Sequence, residues 1–542
     1  MMNNPVSTND SSLTNNPALT STTASPRCQN SDLAQLQADH AGWKSRNLKL
    51  DLQRGKPSPE QLDLSEELLA DPGLGHHIAE GGIDIRNYGS PDGLIELRRI
   101  FAELLNIPVT QLLAMGNGSL RLMYDTMVFA LLFGVPGSDQ PWISYAAVNG
   151  PIKFLCPTPG YDRHFAICEA LGIEMIPIPI LPDGPDVGLI ESLVATDPAI
   201  KGMWLVPTYS NPTGVTISDA VANRLFSMPT AAPDFRIFWD DAYALHHLIP
   251  DAPPAHPVLE LAAAGGYPDR LLIFASTSKI TFASAGVAFV AASPANLAWL
   301  RERLGVQTIG PDKVNQLRHA LYLESPEKVR ALMARHREIL LPKFATMDRV
   351  LRDRLAATPG IAHWELPKGG YFISLEVLPG TAKRVVELAA DAGLALTPAG
   401  SAFPYGVDPL DTHIRLAPSM LSVAEVELAT EVLAGCIKLA AAESVANASS
   451  TSPVTPVIAG LTSPVIAGLT SPVIAGSATP VMDGLTSPVI AGSATPVTNG
   501  LTSPVIAGLT RNLTTANTEL LADFGDDTRT VPDAVRVARG DK

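Results

Sequence analysis

Leu271-Leu272-Ile273-Phe274-Ala275-Ser276-Thr277-Ser278-Lys279-Ile280-Thr281-Phe282-Ala283-Ser284-Ala285-Gly286-Val287-Ala288-Phe289 is the stretch on which the rest of this chain is organised. Its first five residues are apolar and read as a buried strand. Small hydroxyl residues follow, then one lysine, then a second apolar segment containing a glycine. A lysine enclosed by Ser, Thr, Ala and Phe is a poor surface lysine. Desolvation lowers the pKa of such an amine and makes it a nucleophile toward aldehydes. An isolated Ser-x-Ser-Lys is more often a plain loop, so the partners upstream decide its meaning.

Those partners have the same construction. An apolar run at 202–206 precedes Asn211-Pro212-Thr213-Gly214, and another at 235–239 precedes Asp240-Asp241-Ala242-Tyr243. Three strands thus end in polar devices, in the order Asn, Asp, Lys. Ligands of open α/β sheets sit at the carboxyl ends of the strands. Strand and helix patterns alternate through about residue 290, which argues for a mostly parallel sheet. Pyridoxal phosphate chemistry asks for this set of groups. A carboxylate pairs with the ring nitrogen, a phenol and an amide bond the ring oxygen, and a lysine carries the aldehyde and moves a proton.

On these residues the sequence resembles the fold-type I, class I aminotransferases over about residues 31–443. Within them it is most similar to the aspartate aminotransferases of corynebacterial-type organisms, which carry a similar Ser-Thr-Ser-Lys-Ile-Thr-Phe-Ala run. The resemblance implies an α/β fold. Its large domain, about 83–330, would hold a mostly parallel, seven-stranded-type sheet, and 31–82 with 331–443 would form a smaller α/β domain. It implies pyridoxal 5'-phosphate as cofactor, held on Lys279 as an internal aldimine. Asp240 would pair with the pyridinium, Asn211 and Tyr243 would contact the ring oxygen, and Tyr161 would stack on the ring. His164, close behind Tyr161, would bond into the Asp240 network or serve structure alone. Ser276 and Ser278 join the phosphate ligands. Asn117, Gly118 and Ser119 open a helix whose free N–H groups and dipole favour an anion, so they read as a phosphate cradle.

Arg415 stands in the segment His-Ile-Arg-Leu-Ala, at the family place for the arginine that grips the substrate α-carboxylate. A guanidinium fork suits a planar carboxylate. Gly55 is at the place of a glycine that lies over the substrate, although it also reads as a turn ending the strand 48–52. Tyr88, in a Gly/Pro loop, matches a tyrosine that reaches across a homodimer interface to the cofactor phosphate. The implied reaction is transamination between an amino acid, aspartate first, and 2-oxoglutarate. A lyase on the same scaffold, of the aminocyclopropane-carboxylate-synthase or β-eliminating kind, would use the same residues. A cofactor-sensing transcriptional regulator is the third reading, and the segment before Leu48 is too short and polar for its winged helix.

The pattern departs from the family in two places. An arginine usually stands eight residues after the lysine to bind the phosphate, and here that place is Val287. The cation for a distal carboxylate has no motif, and the candidates are Arg54, Lys56, Arg303, Lys313 and Arg318.

The bulk properties agree with a small-molecule enzyme. A net charge of −15 disfavours nucleic acid or an anionic membrane as partner. The cysteines Cys28, Cys156, Cys168 and Cys436 are scattered, so neither a disulfide framework nor a metal site is expected, and a cytoplasmic location fits. Residues 1–30 lack hydrophobic periodicity and are expected to be disordered. From 444 onward a Pro-Val-Ile-Ala-Gly-Leu-Thr-Ser unit places proline every eight residues from Pro456 to Pro504. This tail reads as disordered, with a small β-solenoid as the competing reading. A short helix is expected near 518–524. Residues 295–305 and 312–356 carry long helical periodicity.

Overall fold

The computed structural model describes residues 30–70, 75, 77–250 and 255–450. The expectations for residues 1–29, for the repeats and for a helix near 518–524 lie outside the described residues.

Eight strands form the main sheet: β1 Leu112–Met115, β2 Lys153–Thr158, β3 Glu174–Leu181, β4 Gly184–Pro185, β5 Ile200–Leu205, β6 Arg236–Asp240, β7 Leu271–Ser276 and β8 Ala288–Ala292. Their order across the sheet is β1-β8-β7-β6-β5-β2-β3-β4. The central pairs β3/β2, β2/β5, β5/β6 and β6/β7 are parallel. Only β8 and the two-residue β4 run against their neighbours. The prolines at 177 and 179 in β3 explain its place beside the edge: a residue without an N–H cannot serve a central ladder on both sides.

The sheet is buried on both faces. Along β6 and β7, Ile237, Trp239, Leu271, Ile273 and Ala275 enter one apolar cluster, while Phe238, Leu272 and Phe274 enter the cluster on the other face. Both faces must therefore be covered by helices, as in parallel sheets generally. Ile95–Leu104, Val187–Val194 and Asp219–Ser227 cover the first face. Ser119–Phe133, Asp162–Ala170 and Pro294–Gln307 cover the second.

A third core joins Leu50 and Leu52 to residues from 340–441, and Val206, Tyr209, Tyr243 and Leu248 from the segments after β5 and β6 enter it too. Leu50–Asp51 pairs in parallel with Leu394–Ala395, and Ala362–Trp364, Ile373–Val377 and His413–Leu416 form an antiparallel sheet. The N-terminal strand is thus completed by chain more than 300 residues later, a pairing no local pattern reveals. The closing helix, Val423–Ser450, runs past residue 443.

The periodic stretch 312–356 is two helices, Lys313–Leu323 and Pro326–Leu355. Glu324 between them has a φ of 54°. Ser325 accepts a hydrogen bond from the Lys328 N–H, and Pro326 occupies the first turn, where its missing N–H costs nothing. These are start signals that outweigh the continuous apolar period.

Candidate active site

Three strand ends meet over one cavity. β6 ends at Asp240, β7 leads into a single turn at 277–281 that carries Lys279, and the loop after β5 delivers Asn211. Ser119, Tyr161, Asn211, Asp240, Tyr243 and Lys279 line this cavity together. Met123, Leu120, Val206 and Ala242 supply its apolar wall.

Asp240 is buried, and its Oδ2 accepts a hydrogen bond from His164 Nε2 at 3.0 Å. The His164 ring lies flat against Trp204, with centroids 4.4 Å apart and 8° between planes. That stack fixes the imidazole and hence the carboxylate. Oδ1 of Asp240 is buried with no hydrogen-bond partner among the described residues. A buried carboxylate oxygen left unpaired costs several kcal/mol, about 1–3 or more, unless a donor arrives.

The Lys279 amine sits 4.8 Å from the centroid of the Tyr243 ring. Burial pushes its pKa down, and the Asp240 charge opposes that only in part. Burial pushes the phenols of Tyr243 and Tyr161 up, so both stay protonated. Tyr161 meets the His164 ring edge-on at 5.0 Å. Ser276 Oγ donates to Ser278 Oγ at 3.0 Å, just before the lysine. Gly118 caps the helix Ser119–Phe133 with extended backbone. Asn117 is exposed, and its side-chain amide donates to the Ser284 carbonyl at 3.3 Å, so it braces the loop after Lys279. Val287 is fully buried and its N–H donates to Thr277 Oγ1. Its side chain is part of the core and offers no charge to a phosphate.

Arg415 links the third core to this cavity. Its Nη1 donates to Asp162 Oδ1 at 3.1 Å and to Asn211 Oδ1 at 3.4 Å, and its guanidinium lies over the Phe372 ring at 5.0 Å. Gly55 packs on the same ring: a Cβ there would meet Phe372 at 2.4 Å. Tyr88 lies outside the cavity and is 79% exposed. Asp162 and Phe372 were not singled out from the sequence. Asp162 directly follows Tyr161, and that adjacency was the available signal; nothing local marks Phe372.

The aspartate amino-transferase family profile matches residues 24–449. The chain belongs to this family. The aspartate aminotransferase of Corynebacterium glutamicum is 51% identical over 404 residues, covering 74% of this chain and 92% of that protein. The crystal structure of an aspartate transaminase from the same organism superposes with a TM-score of 0.74 at 50% identity, covering 76% of this chain and 96% of that one. An α-aminoadipate aminotransferase from Thermus thermophilus shares the fold at 21% identity, with a TM-score of 0.58 over 75% of this chain and 98% of its own. The protein is therefore an aminotransferase of the α/β fold expected. No helix among the described residues is long and apolar enough to cross a membrane.

Proposed function

We propose that this aminotransferase moves an amino group from aspartate to 2-oxoglutarate with pyridoxal 5'-phosphate as cofactor, Lys279 bonding the cofactor aldehyde. The unpartnered Asp240 Oδ1 carries the reading, because it needs a donor at the spot where a protonated pyridine nitrogen would supply one. When bound, the cofactor supplies an electron sink for charge developing at the substrate α-carbon.

The chain's own groups do the rest. His164 and Trp204 hold the Asp240 carboxylate in place. Tyr161 offers a ring face, and Tyr243 and Asn211 offer a hydroxyl and an amide to the cofactor's ring oxygen. Gly118, Ser119, Ser276 and Ser278 are the assigned phosphate ligands, with Asn117 at the same helix start bracing the loop after Lys279. Arg415 takes the α-carboxylate, with Asn211 beside it. Lys279 Nζ, its basicity lowered by burial, takes the α-proton and returns it. Gly55 leaves the Phe372 ring free to lie under the arginine.

Aspartate as donor draws support from the name of the Corynebacterium glutamicum relative. Its second carboxylate needs a second cation. Arg54 and Lys56 are exposed on the segment beside Gly55 and are the proposed source. Lys313 is buried with its amine on the Gly89 carbonyl at 3.1 Å, and Arg303 pairs with Glu302 and lies over Phe133. Both are already engaged.

We also propose a homodimer in which Tyr88 of the partner subunit completes the phosphate site, and a cytoplasmic location from the scattered cysteines. The exposure of Tyr88 supports the first of these. Mixing Lys279→Ala with Tyr88→Phe subunits restores one intact site per hybrid if Tyr88 acts across the interface, so activity must exceed that of either parent.

The function is tested by incubating the purified protein with a panel of amino donors and 2-oxoglutarate. The visible band of the bound cofactor is followed throughout. Aspartate must bleach the band and 2-oxoglutarate restore it. Borohydride must fix the cofactor on wild-type protein and not on Lys279→Ala. A cofactor fixed on the alanine variant, or a band that no donor bleaches, overturns the assignment.

A further inference from the structure

Three consecutive residues at the head of the lysine loop are held by three histidines from three different segments. His246, in the turn after β6, places Nε2 3.4 Å from the Lys279 carbonyl oxygen. His336, on the helix Pro326–Leu355, places Nε2 3.0 Å from the Ile280 carbonyl oxygen. His319, on the helix Lys313–Leu323, places Nε2 2.9 Å from the Thr281 hydroxyl. All three rings are at most 5% exposed.

The partners fix the proton positions on His336. A carbonyl only accepts, so Nε2 carries the hydrogen. Nδ1 must then accept, and the Gln61 amide donates to it at 3.0 Å. The other hydrogen of that amide goes to Tyr371 Oη at 2.9 Å, and Gln61 Oε1 accepts from the Ser58 N–H at 3.2 Å. Gln61 is fully buried and its amide group is used at both ends. Gln61 thus donates in two directions, to Tyr371 inside the third core and to His336, and His336 donates on to the Ile280 carbonyl, one residue past Lys279.

We propose that His336 is a positioning residue for Lys279. By holding the Ile280 carbonyl, one residue past the lysine, it fixes the turn at 277–281 that carries Lys279, and Gln61 with Tyr371 sets its tautomer and ties the lysine loop to the third core. Reacting groups held to within a fraction of an ångström by a second layer of hydrogen bonds gain rate without contacting substrate. The inference rests on Lys279 as the cofactor lysine. If that reading fails, borohydride fixes the cofactor on Lys279→Ala as it does on the wild type, whereas failure of the present inference shows only in the His336 and Tyr371 variants.

Two substitutions separate the ends of the ring. In His336→Gln the side-chain amide reaches the place of Nε2 and keeps the Ile280 bond. In His336→Asn it reaches only the place of Nδ1, so it keeps Gln61 and loses Ile280. The readouts on holoenzyme are kcat, KM and the pH midpoint of the visible band. The groups facing Lys279 across the cavity are Asp240 from β6, Tyr161 from the start of Asp162–Ala170, and Tyr243, with His246 behind. None of these changes between the variants. His336→Asn is expected to lower kcat about fivefold at unchanged KM, the ratio that ~1 kcal/mol represents, and to move the midpoint. His336→Gln, which keeps the Ile280 bond but gives up Gln61, should hold kcat near the wild type and move the midpoint less than His336→Asn. Equal behaviour of the two variants, or a change in melting temperature alone, overturns the proposal. Tyr371→Phe removes the acceptor from Gln61 at nearly constant volume and must move the midpoint in the direction of His336→Asn by a smaller amount. An unmoved midpoint in that variant overturns the tie to the third core.

Discussion

Arg415 Nη1 donates to Asp162 Oδ1 at 3.1 Å, across the boundary between the third core and the start of the helix Asp162–Ala170. The arginine assigned to the substrate carboxylate thus already has a carboxylate of its own. Its side chain is 10% exposed and that of Asp162 is 31% exposed, so the pair is partly shielded from water. An incoming α-carboxylate must share or displace Asp162.

The consequence is a competition that Asp162→Asn removes. The amide still offers an oxygen to Nη1 but no charge. KM for the amino donor should fall about threefold, which is the worth of a partly exposed ion pair, with kcat little changed. Steady-state kinetics at fixed 2-oxoglutarate check this. A rise in KM would mean that Asp162 orients Arg415 and does not compete for it.

Gly55→Ala forces a Cβ against the Phe372 ring, where the separation would be 2.4 Å. The ring must move, and it lies under the Arg415 guanidinium. Overpacking of this kind costs about 1–3 kcal/mol. The expected result is a lower melting temperature and a raised KM for carboxylate substrates, read by calorimetry and kinetics.

Acid should destabilise the fold through its buried histidines. Burial pushes the pKa of His336 and of His413 from 6.5 to about 4. Below 6.5 the unfolded chain binds protons that the folded rings refuse, so stability is lost as pH falls from 6.5 toward 4. Each ring contributes at most about 1.4 kcal/mol per pH unit in that window. His246, His247 and His319 shift in the same direction. Asp241 acts with the opposite sign: burial pushes its pKa up to about 7, so its folded form holds a proton that the unfolded carboxylate releases. The histidines outnumber it. Melting temperature should therefore fall as the pH is lowered from 6.5, less steeply in His413→Gln and more steeply in Asp241→Asn.

Neutralising the cation that meets the distal carboxylate should lower kcat/KM for aspartate about tenfold, the ratio of ~1.4 kcal/mol, and spare alanine and phenylalanine. Arg54→Ala and Lys56→Ala, each assayed with the three donors, check this. Uniform losses, or none in either variant, would move the distal site to Arg318 or remove the dicarboxylate preference.

The order Asn211, Asp240, Lys279 was legible in sequence because each stands at or within a few residues of the end of an apolar strand, and strand ends are where a parallel sheet presents its ligands. Arg415 was legible as a guanidinium within an apolar strand. Other parts of the site were silent because their meaning lies in contacts between distant residues. Asp162 acquires its role only when Arg415, 253 positions later, reaches it. Gly55 becomes obligatory only against Phe372.

Local pattern by itself determined the strands, the sheet class and which polar residues stand near their ends, since apolar period and turn residues act over a few neighbours. Tertiary structure alone decided that Leu50–Asp51 would pair with Leu394–Ala395, that Val287 would be core, and that three histidines would converge on residues 279–281. The physical reason is that a buried carbonyl or guanidinium must find its partner wherever the packed chain supplies one, and sequence separation places no limit on where that is.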